Sequence, residues 1–150
     1  MNSAIEQIRV SKARYCRYLD TKQWNAFAAL FTEDATARIV APDGGLIAAF
    51  DSASTFVGAA RQFLENAQSI HQVHNDELAI LSPNEITAIW SMEDYIVFPT
   101  ASANEPASVH GYGHYHETWL RTDGTWRIAR LELRRTIFET TSKTAASDLP

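Results

Sequence analysis

Cysteine is almost absent from this sequence: Cys16 is the one example among 150 residues, so no internal disulfide can form. No apolar run approaches the roughly 20 residues that a membrane-spanning helix needs, and the first residues lack a signal-type apolar core. The net charge is -5 and no basic run occurs, which argues against nucleic acid and anionic membranes as partners. We therefore expect a cytoplasmic protein that binds neither nucleic acid nor membrane.

Motifs that would indicate a cofactor are also missing. Metal-binding cysteine pairs, glycine-rich phosphate loops and the G-x-S-x-G nucleophile elbow do not occur. Hydrophobic residues make up 45% and aromatic residues 11%, too many for a disordered chain. This length fits one domain that buries roughly two thirds of its unfolded surface. We expect one domain over 1–150 without a cofactor, ordered from about residue 3 to 139, with a frayed tail at 140–150.

Apolar periodicity predicts helices in the first half of the chain and strands in the second. The predicted helices are 3–19, 23–31 and 53–66, with a hairpin of strands 36–40 and 46–50 before the third. The predicted later strands are 71–81, 86–98, 109–121 and 126–139. Glu6 follows Ser3 by three residues, and Gln23 follows Asp20 by three residues. This spacing predicts a capping box at each of the two positions. The helices must bury their apolar stripes on one face of the sheet.

The predicted fold class is therefore α+β: a curved antiparallel or mixed sheet wrapped as a cone over three N-terminal helices, with a cavity inside. Four blocks occur along it in order: RYLDTKQW at 17–24, LFTEDA at 30–35, IHQVHND at 70–76 and GHYHETWLRTDGTWRIARL at 113–131. They resemble the SnoaL-like branch of the superfamily that includes nuclear transport factor, ketosteroid isomerase, scytalone dehydratase, lindane dehydrochlorinase and bile-acid dehydratase. The resemblance covers about 5–139 and implies the cone fold, which hosts many functions.

The resemblance also implies a site. Dehydratase and dehydrochlorinase members use an aspartate ending the first helix and a histidine opening the third strand, positions that Asp20 and His71 occupy. The bile-acid dehydratase pattern adds a tyrosine five residues before that aspartate and an acid on the next strand, matched by Tyr15 and Asp94. Ile96 stands where the scytalone dehydratase pattern has a second histidine, so we do not expect a scytalone-type substrate.

Arginine on the last strand completes the bile-acid dehydratase pattern, and either Arg134 or Arg135 corresponds to it. Asp94 shares a strand face with apolar neighbours, where an unpaired acid is costly and indicates a site. A salt bridge from Asp94 to one of these arginines is the structural alternative. Further substrate contacts are expected from the inward-facing and helix-borne residues Met92, Ile96, Trp24, Tyr115 and Glu117.

Histidine is the side chain whose ordinary pKa lies nearest neutrality, so His71 is the candidate base. A carboxylate on one ring nitrogen would fix the tautomer and leave the other nitrogen free. The alternatives are that Asp20 caps the second helix and that His71 is a half-buried structural residue. His74, three positions along the strand, faces the opposite way.

Three histidines alternate on one face of the fifth strand: His110, His114 and His116. This spacing is compatible with metal ligands, but matching to the family places Tyr115 and Glu117 towards the cavity. The histidine face would then meet a partner subunit. We therefore expect no metal and a homo-oligomer, either dimer or trimer.

Taken together, these residues and the family resemblance imply a cofactor-independent dehydratase acting on a hydrophobic, cyclic, oxygenated small molecule. His71 is the base, Asp20 orients it, and Tyr15 and Asp94 hold or protonate the leaving hydroxyl or the oxyanion. An isomerase or polyketide cyclase would need the same base. A non-catalytic ligand-binding or assembly domain is the third possibility.

Overall fold

The computed structural model describes residues 3–143. In chain order its elements are α1 (Ala4–Asp20), α2 (Trp24–Ala28), β1 (Phe31–Val40), β2 (Leu46–Phe50), α3 (Ala53–Leu64), β3 (Gln68–Ser82), β4 (Glu85–Val97), β5 (Pro106–Thr122) and β6 (Thr125–Ser142). None of the helices in this part of the chain has the length and apolarity to cross a membrane.

All six strands form one sheet in the order β2-β1-β6-β5-β4-β3. Strands β3, β4, β5 and β6 pair antiparallel in sequence order. Strand β6 also pairs in parallel with β1, from the start of the chain. The three helices cover one face, where the core lies. The predicted α+β class, with three helices on a curved mixed sheet, is confirmed.

Several predicted boundaries are wrong, chiefly the start of β1 and the end of β6, because sheet pairing overrides the local pattern. Phe31 pairs with Ile128, and the Ile128 N–H donates to the Leu30 carbonyl at 2.8 Å, so β1 begins before the predicted residue 36 and α2 is short. At the other end, Thr140 pairs with Val109. The tail predicted to fray from residue 140 is therefore β-strand as far as 142, and 144–150 lie outside the described residues.

The helix α1 begins as the sequence predicts. Ser3 and Glu6 exchange hydrogen bonds between side chain and backbone, forming the capping box. The second predicted capping box is wrong: Gln23 is the N-cap of α2 and makes no side-chain cap. Asp20 instead ends α1, and its carboxylate turns towards β3.

A buried ion pair joins α1 to β5 at the centre of the core. The Lys12 Nζ lies 2.5 Å from Glu117 Oε2, and both side chains are 0% exposed. The other oxygen, Glu117 Oε1, accepts the indole N–H groups of Trp90 at 2.6 Å and Trp119 at 3.0 Å. Each carboxylate oxygen therefore has a partner, which offsets the cost of burying the charge.

Two aromatic faces complete the surroundings of the Lys12 ammonium. Its Nζ lies 3.5 Å from the ring centroid of Tyr15 and 3.7 Å from that of Tyr115. Ring faces carry negative potential and attract cations, more strongly where water is excluded. The Lys12 ammonium is therefore held between Glu117 and two ring faces, away from water.

Replacing Lys12 with methionine should destabilise the fold strongly, because it leaves the Glu117 carboxylate buried without its cation. Removing one partner of a buried pair typically costs about 3–5 kcal/mol in the free energy of unfolding. The double variant Lys12→Met/Glu117→Gln should recover part of this loss. Urea denaturation measures all of these free energies.

The matched control is Arg9→Met, which removes the cation of a half-exposed α1 pair with Asp76. Such pairs contribute about 0–1 kcal/mol. A Lys12→Met variant no less stable than Arg9→Met would show that the buried pair is not what anchors α1 to the sheet.

Candidate active site

Asp20 and His71 meet where the end of α1 passes the start of β3. The Asp20 Oδ1 lies 2.7 Å from His71 Nδ1 and also accepts the Ser69 hydroxyl at 3.0 Å. The other oxygen, Asp20 Oδ2, accepts the His71 backbone N–H at 2.9 Å. A carboxylate accepts hydrogen bonds, so in the neutral ring the proton belongs on Nδ1. The Nε2 atom has no hydrogen-bond partner within residues 3–143.

The fold explains why these two residues are together. A carboxylate at a helix C-terminus is disfavoured by the helix dipole, and here three hydrogen bonds from β3 compensate. The His71 side chain is 7% exposed and that of Asp20 is 19% exposed. The imidazole is thus largely shielded from water.

A second charged pair lies directly beside the histidine. His71 and Asp94 are register partners on β3 and β4 and share the inner face of the sheet. The two Asp94 oxygens accept Nη1 and Nη2 of Arg135, each at 2.8 Å, with side chains 3% and 9% exposed. Burial lowers the pKa of Arg135, but the hydrogen bonds and charge of Asp94 raise it above its ordinary value overall. The salt-bridge alternative for Asp94 is therefore what the structure contains, with Arg135 as the partner.

This pair crosses over a glycine. Asp94 is on β4 and Arg135 on β6, and the strand between them places Gly111 opposite Asp94. A Cβ at Gly111 would lie 2.1 Å from Arg135 Nη1 and 2.5 Å from Asp94 Oδ1. Gly113 is similarly confined, since its Cβ would lie 2.2 Å from the Arg134 carbonyl oxygen. Gly111 and Gly113 stand two positions apart on the inward face of β5, and this spacing is the sequence signal for the close approach of β6. The signal was not recognised from the sequence.

The phenols of Tyr15 and Tyr115 lie deeper, with ring centroids 5.6 Å apart. Burial raises the pKa of Tyr15 well above its ordinary value, and the negative charge of Glu117 raises it further. Burial raises the pKa of Tyr115 in the same direction. Both phenols therefore stay protonated and can act only as neutral hydrogen-bonding groups.

A family model described as a SnoaL-like domain matches residues 2–132. The chain belongs to this family. It is 31% identical over 136 residues to a protein described as probable cyclase FGR4 from Gibberella zeae, covering 85% of this chain and 88% of that one.

Solved structures give the same fold for this SnoaL-like chain. A protein provisionally assigned as a scytalone dehydratase from Novosphingobium aromaticivorans superposes with a TM-score of 0.76 at 20% identity, covering 90% of this chain and 85% of that one. The hexachlorocyclohexane dehydrochlorinase LinA-type3 from Novosphingobium barchaimii gives 0.75 at 17% identity, with coverages of 93% and 91%.

Two predicted substrate contacts of the SnoaL-like chain are corrected. Arg134 lies on the outer face, where its Nε donates to Glu132 at 2.7 Å, because strand alternation turns Arg135 inwards and Arg134 outwards. Glu117 faces inwards as predicted, but Lys12 and two indoles occupy both oxygens. Its role is therefore to hold the core.

Three of the other predicted contacts, Met92, Ile96 and Trp24, are mainly apolar side chains. Met92 and Ile96 flank Asp94 on the inner face and are each 2% exposed. Trp24 is half-buried on α2 and packs against the core. The three alternating histidines lie on the outer face, where His110 binds Glu93 at 2.5 Å. Among residues 3–143, no three histidine, cysteine or acidic side chains converge as a metal site.

Alanine at Gly111 should break the Asp94–Arg135 pair, because the added methyl group occupies the position of the guanidinium. We expect a loss of about 3 kcal/mol or more in the free energy of unfolding, as for other broken buried pairs. Urea denaturation of Gly111→Ala against wild type gives this value.

The control is Gly58→Ala on α3, where an added Cβ meets nothing within 4 Å. Helical alanine in place of glycine should leave stability unchanged or raise it by about 0.5–1 kcal/mol. Equal stability of the two alanine variants would mean that β5 does not need a glycine to let the pair form.

Proposed function

We propose that this SnoaL-like protein is a cofactor-independent acid–base enzyme, a dehydratase in which His71 is the base. The carrying observation is the 2.7 Å contact between Asp20 Oδ1 and His71 Nδ1. It supports a base because it leaves Nε2 as the unprotonated nitrogen. The same carboxylate stabilises the imidazolium that forms when Nε2 takes a proton.

The proposed reaction is a β-elimination of water. His71 Nε2 removes a proton from a carbon next to a carbonyl group, and the C–H electron pair passes into an enolate. The enolate re-forms the carbonyl, the new carbon–carbon double bond forms, and the bond to the β-hydroxyl breaks. The proton held by His71 leaves with that hydroxyl as water, which regenerates the neutral imidazole.

Arg135 and Tyr15 are the proposed stabilisers of the enolate oxygen. Fixed donors in a water-poor site stabilise developing charge without reorganisation, and the Arg135 guanidinium is fixed by Asp94. The bidentate geometry makes Asp94 an anchor for Arg135 and a poor proton donor, which departs from the role that the sequence predicted. Tyr15 supplies a protonated phenol, consistent with its raised pKa.

The proposed substrate is a hydrophobic, cyclic, oxygenated small molecule. Apolar side chains adjoin the Asp94–Arg135 pair on the inner face. Met92 and Ile96 flank Asp94, and the Phe138 ring centroid lies 4.6 Å from the Arg135 guanidinium carbon. Apolar walls with a few convergent polar groups are typical of small-molecule sites. Solved neighbours named as a dehydratase and a dehydrochlorinase give this proposal further support.

A cyclase or isomerase is the second candidate, favoured by the relative at 31% identity described as a probable cyclase. The same His71 base would form an enolate that attacks or reprotonates at another carbon. Product mass separates the two candidates, because elimination removes one water and isomerisation or ring closure by addition does not.

We also propose that the chain assembles with copies of itself through the outer face of the sheet. Ile70 and Tyr95 are register partners there, and Tyr112 and Ile137 lie in the adjacent row. All four side chains are more than a third exposed. Contiguous exposed apolar surface of this kind is typical of protein–protein contacts.

His71→Ala should abolish most turnover in a screen of cyclic β-hydroxycarbonyl compounds followed by mass spectrometry. Loss of a general base lowers kcat/KM by on the order of 10²–10⁴. Asp20→Asn should lower kcat by on the order of 10² while circular dichroism shows a folded protein.

The matched control is His74→Ala, which removes a histidine from the outer face of the same strand. It should turn over substrate like the wild type. Full activity in His71→Ala and Asp20→Asn would refute the proposed chemistry, and an equal loss in His74→Ala would point to damage to β3 rather than to a missing base.

A further inference from the structure

The outer face of the sheet carries a hollow that the proposed reaction does not use. It has a volume of about 240 Å³ and lies across β4, β5 and β6. Its lining includes Arg130 and Arg134 from β6, His116 and Thr118 from β5, and Thr87 from β4. These side chains alternate outwards, whereas the Asp20–His71 site is on the inner face.

Glu132 also lines this hollow, and its carboxylate lies near three guanidinium groups, two from the lining and that of Arg38 beside it. Glu132 Oε1 accepts Arg134 Nε at 2.7 Å, whereas Glu132 Oε2 lies 3.7 Å from Arg38 Nε and 3.9 Å from Arg130 Nη2. The last two distances are too long for hydrogen bonds. One carboxylate cannot neutralise three guanidiniums, so positive charge is left over on a chain whose net charge is negative.

Hydrogen-bond donors are left over as well. Each guanidinium has five N–H groups in a planar fork, and only Arg134 Nε donates to Glu132 within hydrogen-bond distance. Register places Thr118 beside Arg130 and Thr87 beside Thr118, so two hydroxyls border the same space. These donors come from three adjacent strands, β4, β5 and β6, and border the hollow together.

We propose that this hollow binds a small dianion of the phosphate class, held by Arg130, Arg134 and the two threonine hydroxyls. The Arg38, Arg130 and Arg134 guanidiniums outnumber the Glu132 carboxylate by two charges, which a doubly charged ligand would balance. Several guanidiniums and hydroxyls approaching from different strands also suit a tetrahedral oxyanion, which accepts hydrogen bonds in several directions. This proposal is independent of the proposed function, since the two sites occupy opposite faces of the sheet.

His116 provides a spectroscopic reporter inside the hollow. Burial lowers its pKa, and the positive charges of Arg134 and His114 lower it further, while Glu132 and Glu77 act in the opposite direction. A bound dianion favours the protonated imidazole. Phosphate binding in the hollow should therefore raise the pKa of His116. An anion that binds away from the ring should leave this pKa unchanged.

The test is a titration of the protein with inorganic phosphate, followed by NMR at constant ionic strength maintained with sodium chloride. Wild type should show saturable shifts of the His116 ring and the Thr87 and Thr118 amides, with a Kd on the order of millimolar for a solvated site. Arg130→Ala should weaken binding about tenfold, the loss of one charge-assisted contact. The Arg130 side chain is 64% exposed, so the fold should tolerate the change.

Arg61→Ala is the matched control, because this arginine is similarly exposed on α3 and pairs with Glu65. It should bind phosphate like the wild type. Shifts that do not saturate, shifts that chloride alone reproduces, or equal affinity in Arg130→Ala would overturn the proposal. A change of sedimenting mass in Arg130→Ala, together with no phosphate-induced shift in the wild type, would also overturn the proposal. That result would favour contact with a second copy at this face.

Discussion

The hydrogen bond between Asp20 and His71 is one of three that connect the end of α1 to the start of β3. It joins the last residue of α1 to β3, which is an edge strand and therefore has a neighbour on one side only. Asp20 also accepts the His71 backbone N–H and the Ser69 hydroxyl. The same carboxylate thus fixes the strand, the ring orientation and the tautomer, and the proposed chemistry depends on all three.

Two buried charge pairs divide the interior into regions with different purposes. Around Lys12 and Glu117 the charges are fully enclosed, with indole N–H groups and ring faces occupying the remaining directions. This region behaves as core. The Asp94–Arg135 pair lies beside His71, which is the register partner of Asp94 on β3, and its side chains are 3% and 9% exposed. The proposed base His71 and the proposed enolate stabiliser Arg135 belong to this second region.

The fold was largely predictable because its elements follow simple periodicities. The three helical stripes, the turn at 42–45 and the four long alternating strands were sufficient to predict the order of elements, whereas the side of the sheet that Tyr115 and Glu117 face came from the family resemblance. The start of β1 was not predictable, because pairing with β6 is non-local. The end of β6 was missed for the same reason, since residues 140–142 carry no apolar pattern and are held by pairing with β5.

The site was less predictable than the fold, since side-chain partners depend on registers that sequence does not show. The resemblance placed Asp20 beside His71, and alternation limited the arginine to one of two neighbours. Neither could reveal that Gly111 leaves room for Arg135 to reach across β5 to Asp94, or that Gly113 lets the β6 backbone approach closely. Nor could they show that Lys12 binds Glu117, since helical spacing places Lys12 on the apolar stripe of α1 but does not show what its ammonium contacts.

The tautomer of His71 tests the central claim most directly, and it requires no substrate. Nitrogen-15 NMR of the neutral ring distinguishes a protonated nitrogen from a bare one. The structure predicts a proton on Nδ1 and a bare Nε2 in the wild type. A proton on Nε2, or a ring that exchanges freely between both forms, would contradict the proposal that Asp20 prepares this histidine as a base.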